Sequence, residues 1–351
     1  MADRTYIDWR FARSSGRRLS TAGPRLEANE MAEVVAELRD AAVRAHDPVA
    51  ETAQLGTDGD LGPVRIVDRA TWIDVNVVSL EGMLAPVVDK ITAKRLAGPV
   101  SRAVTAKVSG GELGGLMAFM SSKVLGQYDI APGGTPSLML VAPNVVAVER
   151  ELDVDPHDFR LWVCLHEETH RVQFTAVPWL REHVVSGARD LLVEMAPTPE
   201  EMAEHVGEMA KRLPELFREG SMGLTDLFAT PEQRERMAQL TAVMSLLEGH
   251  ADVVMDDVGP QVVPSVETIR ARFGERRDGL GNVDRLLRRL MGLEAKMRQY
   301  KDGAAFVRSV QSKVGVEGFN AVWAEPVNLP TPAEIQRPQL WVERVHGSLF
   351  K

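Results

Sequence analysis

His166 and His170 stand four residues apart in the run HEETH, with Glu167 directly after the first. Residues four apart share one face of an α-helix, so both imidazoles can point at one metal ion while Glu167 reaches a water beside it. Those residue types suit hydrolysis: zinc acidifies a water and polarises a carbonyl, and the carboxylate takes the water's proton. The flanking runs VCL and RVQF make one side of this helix apolar. Two imidazoles and a carboxylate would be costly to bury there without an ion as partner.

Two histidines need a third protein ligand. The candidates are Glu248, His250, Asp252, Asp256 and Asp257 in LEGHADVVMDD, together with His183. Glu248 is preferred because Asp252 follows four residues later on the same face, where it can accept a hydrogen bond from the other nitrogen of a ligand histidine. His250 is offset by two residues and is the chief competitor. A hydrolase also benefits from a donor to the developing oxyanion, and Tyr128, His183, His250 and Arg181 qualify by type. His46, His157, His205 and His346 have no partner at a useful spacing. Cys164, two positions before His166, points away from the metal face and reads as a small buried residue.

The elements that must hold these residues are mostly helical. Residues 25–45 place Met31, Val34, Val35 and Leu38 on one face, until His46, Asp47 and Pro48 interrupt the pattern. Asp68 precedes an apolar helix that is expected to start just after Pro63 and end near Pro86. GGELGGLMAFMSSKVLG reads as close helix packing, because no lysine followed by serine or threonine completes a phosphate loop. SLMLVAPNVVAVEREL predicts two short strands, one on each side of Pro143-Asn144. Asp155 and Pro156 open the HEETH helix and Pro178 closes it. PWLREH opens another helix, PTPEEMAEHVGEMAKRLPELF a further one, and a long helix carries EGHAD until Pro260 and Pro264. Trp323 and Trp341 anchor a proline-rich tail. At the start, Arg10, Arg13, Arg17 and Arg18 form the wet face of a short helix whose apolar side holds Ile7, Trp9 and Phe11.

The fold expected is mainly α with a small β-sheet (α+β). It is one continuous unit over residues 1–351 with two lobes, 1–177 and 178–351, and the cleft lies between the HEETH and EGHAD helices. Apolar residues make up 44% and charged residues 26%, and the formal net charge of -9 gives no general attraction to nucleic acid. Cys164 is the single cysteine, so no intrachain disulfide and no four-cysteine zinc site can form. Without an apolar signal segment or a stretch of membrane-spanning length, the expectation is a cytoplasmic protein with no membrane or nucleic-acid partner. Its partner would be a peptide or amide-containing substrate.

HEETH followed by EGHAD resembles the zincin metallopeptidases of the glutamate-ligand clan, which pair two histidines on one helix with E-x-x-x-D on another. The resemblance implies Zn2+ held by His166, His170 and Glu248, Glu167 as catalytic base, Asp252 orienting a histidine, and substrate bound along an edge strand, here SLMLV. GQYD at 126–129, VAPN at 141–144, FRLWVCLHEETHRVQF, PWLREH, LLEGHADVVMD, YKDGAAF and LPTPAEIQRPQLWVERV resemble an actinobacterial group of zincin-like hydrolases. Some members carry a label linking them to deazaflavin coenzyme biosynthesis, which implies no binding of that coenzyme. Two features depart from the clan. Seventy-seven residues separate His170 from Glu248, and Glu168 puts a charge where zincin helices usually have none. That charge would either repel a carboxylate-rich substrate or pair with Arg171 or Arg160. The alternative function is a non-catalytic zincin-fold protein in which zinc orders the helices.

Overall fold

The computed structural model describes residues 6–57, 61–94, 99–130, 132, 134–195, 229–278 and 293–347. The expected helix in PTPEEMAEHVGEMAKRLPELF, and His205 with it, lies outside the described residues. Among the described residues up to 195 the helices are α1 (Trp9–Leu19), α2 (Ala28–Ala53), α3 (Arg69–Lys94), α4 (Pro99–Ser121), α5 (Ala142–Leu152), α6 (Pro156–Ala176) and α7 (Leu180–Met195). After them come α8 (Pro231–Val262), α9 (Val266–Asp278), α10 (Leu293–Phe319, kinked at Gly315), α11 (Pro332–Gln336) and α12 (Pro338–His346). The molecule is mainly helical with a small sheet.

Among the described residues the sheet has three strands in the order β1-β3-β2. β1 (Val64–Val67) runs parallel to β3 (Ser137–Val141), and β2 (Gly126–Asp129) runs antiparallel to β3. All five residues of β3 are buried, as a near-continuous apolar run in a central strand should be. SLMLV is therefore the middle of the sheet, and the edge beside the metal helix is β2, contrary to expectation. The second expected strand is also corrected. VVAVEREL belongs to α5, because Pro143 sits in its first turn, where the missing N–H is harmless, and acts as a helix starter.

Prolines misled the helix ends in the same way. α2 continues through Pro48 to bury Val49 and Ala53, α3 runs through Pro86, and α8 passes Pro260 before stopping at Val262. In each the tertiary packing outweighs one lost backbone bond. α3 starts at Arg69, after the strand VRIV, with the Asp68 carboxylate accepting from the Thr71 N–H at 2.7 Å. Over Arg69–Val88 it is long and apolar enough to cross a membrane by length and composition, where no such stretch was expected. Trp72, Ile73 and Val77 of that stretch pack with Met139 and Val141 of β3. On α1 the buried positions are Trp9, Ala12 and Gly16, whereas Phe11 is largely exposed. The glycine-rich run does mark close helix packing: a Cβ on Gly114 would fall 2.7 Å from the Ala12 carbonyl oxygen of α1.

Two large apolar clusters meet along α6 and α8. Phe159 to Val172 of α6 and Val254 to Val258 of α8 belong to one; Leu246, Leu247 and Val253 of α8 join Phe306, Phe319, Trp323 and Trp341 in the other. Trp341 and Trp323 are buried tail anchors, and the Trp341 indole donates to the Asn328 carbonyl at 2.7 Å. α8 crosses α10 with backbone nearly touching backbone, since a Cβ on Gly249 would lie 2.2 Å from the Gly303 carbonyl carbon. That crossing fixes the stretch of α8 which carries Glu248.

Candidate metal centre

α6 is capped by Asp155, whose carboxylate accepts from the Asp158 N–H at 3.0 Å, and Pro156 occupies its first turn. From Phe159 to Gln173 every residue of this helix is buried except His166 and His170. A helix enclosed on all sides belongs to a core. The two partly open positions of this stretch are the histidines four apart, so between Phe159 and Gln173 the helix opens at the HEETH face among the described residues.

α8 brings Glu248 across that opening. Its Oε2 lies 3.6 Å from His166 Nε2 and 3.7 Å from His170 Nε2, and the ligand atoms of the three residues all lie within 4.8 Å of one another. The two rings meet edge to face, with centroids 4.9 Å apart. Two imidazole nitrogens and one carboxylate oxygen form a donor set suited to zinc, leaving a coordination position for water or substrate. Burial would lower the His166 pKa, but the nearby Glu248, Glu167 and Asp252 raise it to about 9 in the metal-free protein. Burial would raise the Glu248 pKa, and the two histidines instead hold it far below the usual carboxylate range. The carboxylate and the imidazoles thus stabilise one another's charged forms.

Glu167 is buried beside the triad and, among the described residues, has no direct hydrogen-bond or ion-pair partner. Burial raises its pKa above the ordinary carboxylate value, and His166 and His170 only partly oppose this. The carboxylate packs against the backbone of β2: a Cβ on Gly126 would stand 2.7 Å from Glu167 Cδ and 2.8 Å from Oε1. Only glycine leaves that space. GQYD stands among the resembling motifs, but no role for Gly126 is legible there, because that role depends on the approach of a strand 41 positions upstream of the base.

Asp252 is on the His166 side of the site, with Oδ1 3.9 Å from His166 Nδ1. It faces the expected atom, at ion-pair distance rather than hydrogen-bond distance. His170 is held directly: its Nδ1 is 3.0 Å from Gln173 Oε1. Sequence reasoning missed Gln173, although its position one turn beyond His170 was a readable signal.

Of the proposed oxyanion donors, His250 is excluded. It is fully buried on the far side of α8, with Nδ1 2.9 Å from Gln173 Nε2 and its ring stacked on Phe319. Burial lowers its pKa to about 3, so it is a neutral core group and no competitor of Glu248. Arg181 instead braces the β2–β3 connection, donating to the Ile130 carbonyl at 2.7 Å and the Gly134 carbonyl at 3.1 Å. His183 lies edge-on to Trp179, centroids 5.8 Å apart, on α7. Tyr128 is on β2, stacked on Phe174 of α6 at 5.7 Å. Burial raises its pKa, which keeps its hydroxyl a neutral donor. Asp256 and Asp257 pair with Arg270 and Arg308 and take no part in the triad. Cys164 is fully buried, its thiol pushed up by burial. Glu168 turns inward, bonded to Arg171 (2.6 Å) and His46 (2.8 Å), while Arg160 pairs with Glu149 and Glu37.

A family model of zincin-like metallopeptidases matches residues 7–342. The chain belongs to that family. This zincin is also similar to a solved structure from Chloroflexus aurantiacus, provisionally described as a hydrolase with a novel fold. The two share 28% sequence identity with a TM-score of 0.69, over 97% of this chain and 99% of that one. A search among curated proteins finds no match.

Proposed function

We propose that this zincin is a zinc-dependent hydrolase that cleaves a peptide or amide bond, with Glu167 as general base. The observation that carries the reading is Glu167 itself, a buried carboxylate with no direct partner among the described residues, beside three convergent ligand atoms. His166, His170 and Glu248 would hold the ion, which when bound would polarise the scissile carbonyl and acidify the attacking water. Glu167 takes that water's proton on a carboxylate oxygen and delivers it to the departing amine. A carboxylate held beside the attacking water can both accept and return a proton.

β2 supplies a site for the substrate backbone. The Val141 N–H donates to the Leu125 carbonyl at 2.8 Å, which makes Gln127–Met139 and Asp129–Ser137 the hydrogen-bonded pairs of the β2–β3 ladder. The backbone groups of Gly126 and Tyr128 therefore point to the outer edge. An extended peptide added there would run past Glu167. Gln127 and Asp129 hold the strand from its other face, through the Trp72 indole (2.9 Å) and the Ser79 hydroxyl (3.0 Å) of α3. Tyr128, on the substrate side of α6, is the candidate donor to the oxyanion.

The non-catalytic alternative calls for a closed metal site. The partial exposure of both histidines, and a base with no direct partner among the described residues, favour catalysis. The test is elemental analysis of protein purified without a histidine tag, followed by a peptide and amide screen against a Glu167→Gln control. About one zinc per chain in wild type, lost in Glu248→Ala, with hydrolysis absent from Glu167→Gln, supports the proposal. A wild type that takes up no zinc, or a Glu167→Gln enzyme as fast as wild type, overturns it.

A further inference from the structure

Gln173 is fully buried, and its amide makes three contacts. Nε2 lies 2.9 Å from the Leu247 carbonyl oxygen and 2.9 Å from His250 Nδ1, while Oε1 lies 3.0 Å from His170 Nδ1. A backbone carbonyl can only accept, so the amide group facing Leu247 must be the NH2. That leaves the amide oxygen facing His170, and an amide oxygen can only accept as well. His170 Nδ1 must then carry a proton, and the neutral ring presents Nε2, the atom aimed at Glu248. The second N–H of the amide goes to His250 Nδ1, which places the proton of His250 on Nε2. The orientation of Gln173 is thus set by the carbonyl of the residue before Glu248, and it sets in turn the tautomer of a histidine two residues after it.

Resting on the reading of His166, His170 and Glu248 as ligands, the geometry points to Gln173 as the residue that fixes the tautomer of His170 and presents Nε2 to the metal, with His250 holding the Gln173 amide in place. Both are positioning residues, and neither would touch the substrate. The two ligand histidines are braced unequally: His170 by a hydrogen bond at 3.0 Å, His166 by Asp252 at a longer 3.9 Å. Outer partners of this kind commonly carry about 10- to 100-fold in metal affinity.

The test is zinc affinity by chelator competition, with folding followed separately by thermal melting. Gln173→Met removes the acceptor and should weaken zinc binding about 10- to 100-fold. Gln173→Glu keeps an acceptor toward His170 and should bind zinc within a few-fold of wild type, even though it melts lower. Wild-type affinity in Gln173→Met, or equal weakening in both variants, overturns the inference. Should the variants not fold, nitrogen NMR of wild-type protein reads the same point: the His170 proton on Nδ1 supports the brace, and a proton on Nε2 overturns it. A wild type that takes up no zinc defeats the ligand reading instead, and the proton position on the neutral His170 ring still decides the brace.

Discussion

Glu167 and Glu168 are neighbours in sequence and both are buried, yet α6 turns them to opposite sides with opposite surroundings. Glu168 meets the Arg171 guanidinium and the His46 ring, and His46 is in turn 3.3 Å from the Thr57 hydroxyl. Glu167 meets a glycine backbone and two histidines whose nitrogens converge elsewhere. Burial pushes both carboxyl groups up in pKa, so burial does not separate them. Partners do. A carboxylate locked between donors orders the helix, whereas one left without them stays free to exchange a proton. The adjacent charge that looked like an obstacle to substrate is a structural tie on the side away from the cleft.

The comparison breaks most visibly at the base. Glu167→Gln should lower the rate on any substrate found by screening by about 10²- to 10⁴-fold, while zinc content and melting temperature stay at wild-type values. A comparable fall in melting temperature would make Glu167 structural like its neighbour. Glu168→Ala should do the reverse, leaving Arg171 buried without its carboxylate and costing about 3–5 kcal/mol in denaturant unfolding, with zinc still bound near one per chain. A silent Glu168→Ala would remove the distinction from the other side.

Gly126→Ala sharpens it further. The added methyl displaces the Glu167 carboxylate, and a shift of about 1 Å can cost on the order of 100-fold in rate; zinc affinity should hold, because the three ligands do not move. Activity equal to wild type would mean that Glu167 tolerates the displacement. The smallest expected effect is one of pH. In chelated protein His166 is raised to about 9, so the stability it contributes is fully present below its unfolded value and is lost as pH rises through 9. Melting of the chelated protein should therefore fall between pH 7 and pH 10. The zinc-loaded protein, with His166 already deprotonated as a ligand, should not share that loss.

The metal helix was readable because its information is local. Asp155 and Pro156 announce the start, and spacing by four puts His166 with His170 and Glu248 with Asp252. The sheet was less legible, since β1 and β2 are four residues each and are specified by what packs on them. GQYD has no alternation strong enough to read as a strand, and its place at the edge follows only from its pairing with β3. In α5 a β-branched run looked like a strand, and the proline that starts the helix looked like a turn. Pro48, Pro86 and Pro260 all suggested ends that long-range packing overrides. His250 and Gln173 exchange roles for the same reason: the histidine has the right chemistry and the wrong face, while the glutamine's importance comes from a carbonyl 74 positions away.

The bond from Gln173 to that carbonyl of Leu247 has a consequence for capture of the ion. It joins α6 to α8 immediately before Glu248, and both of its partners are the protein's own groups. Such a tie fixes the relative register of the two helices as the chain folds, so the entropy of aligning His170 with Glu248 is lost during folding rather than at the moment of loading. Zinc should therefore enter and leave this protein as a guest of a finished cavity, with exchange rates that follow solvent access to the histidines and not the unfolding of the chain.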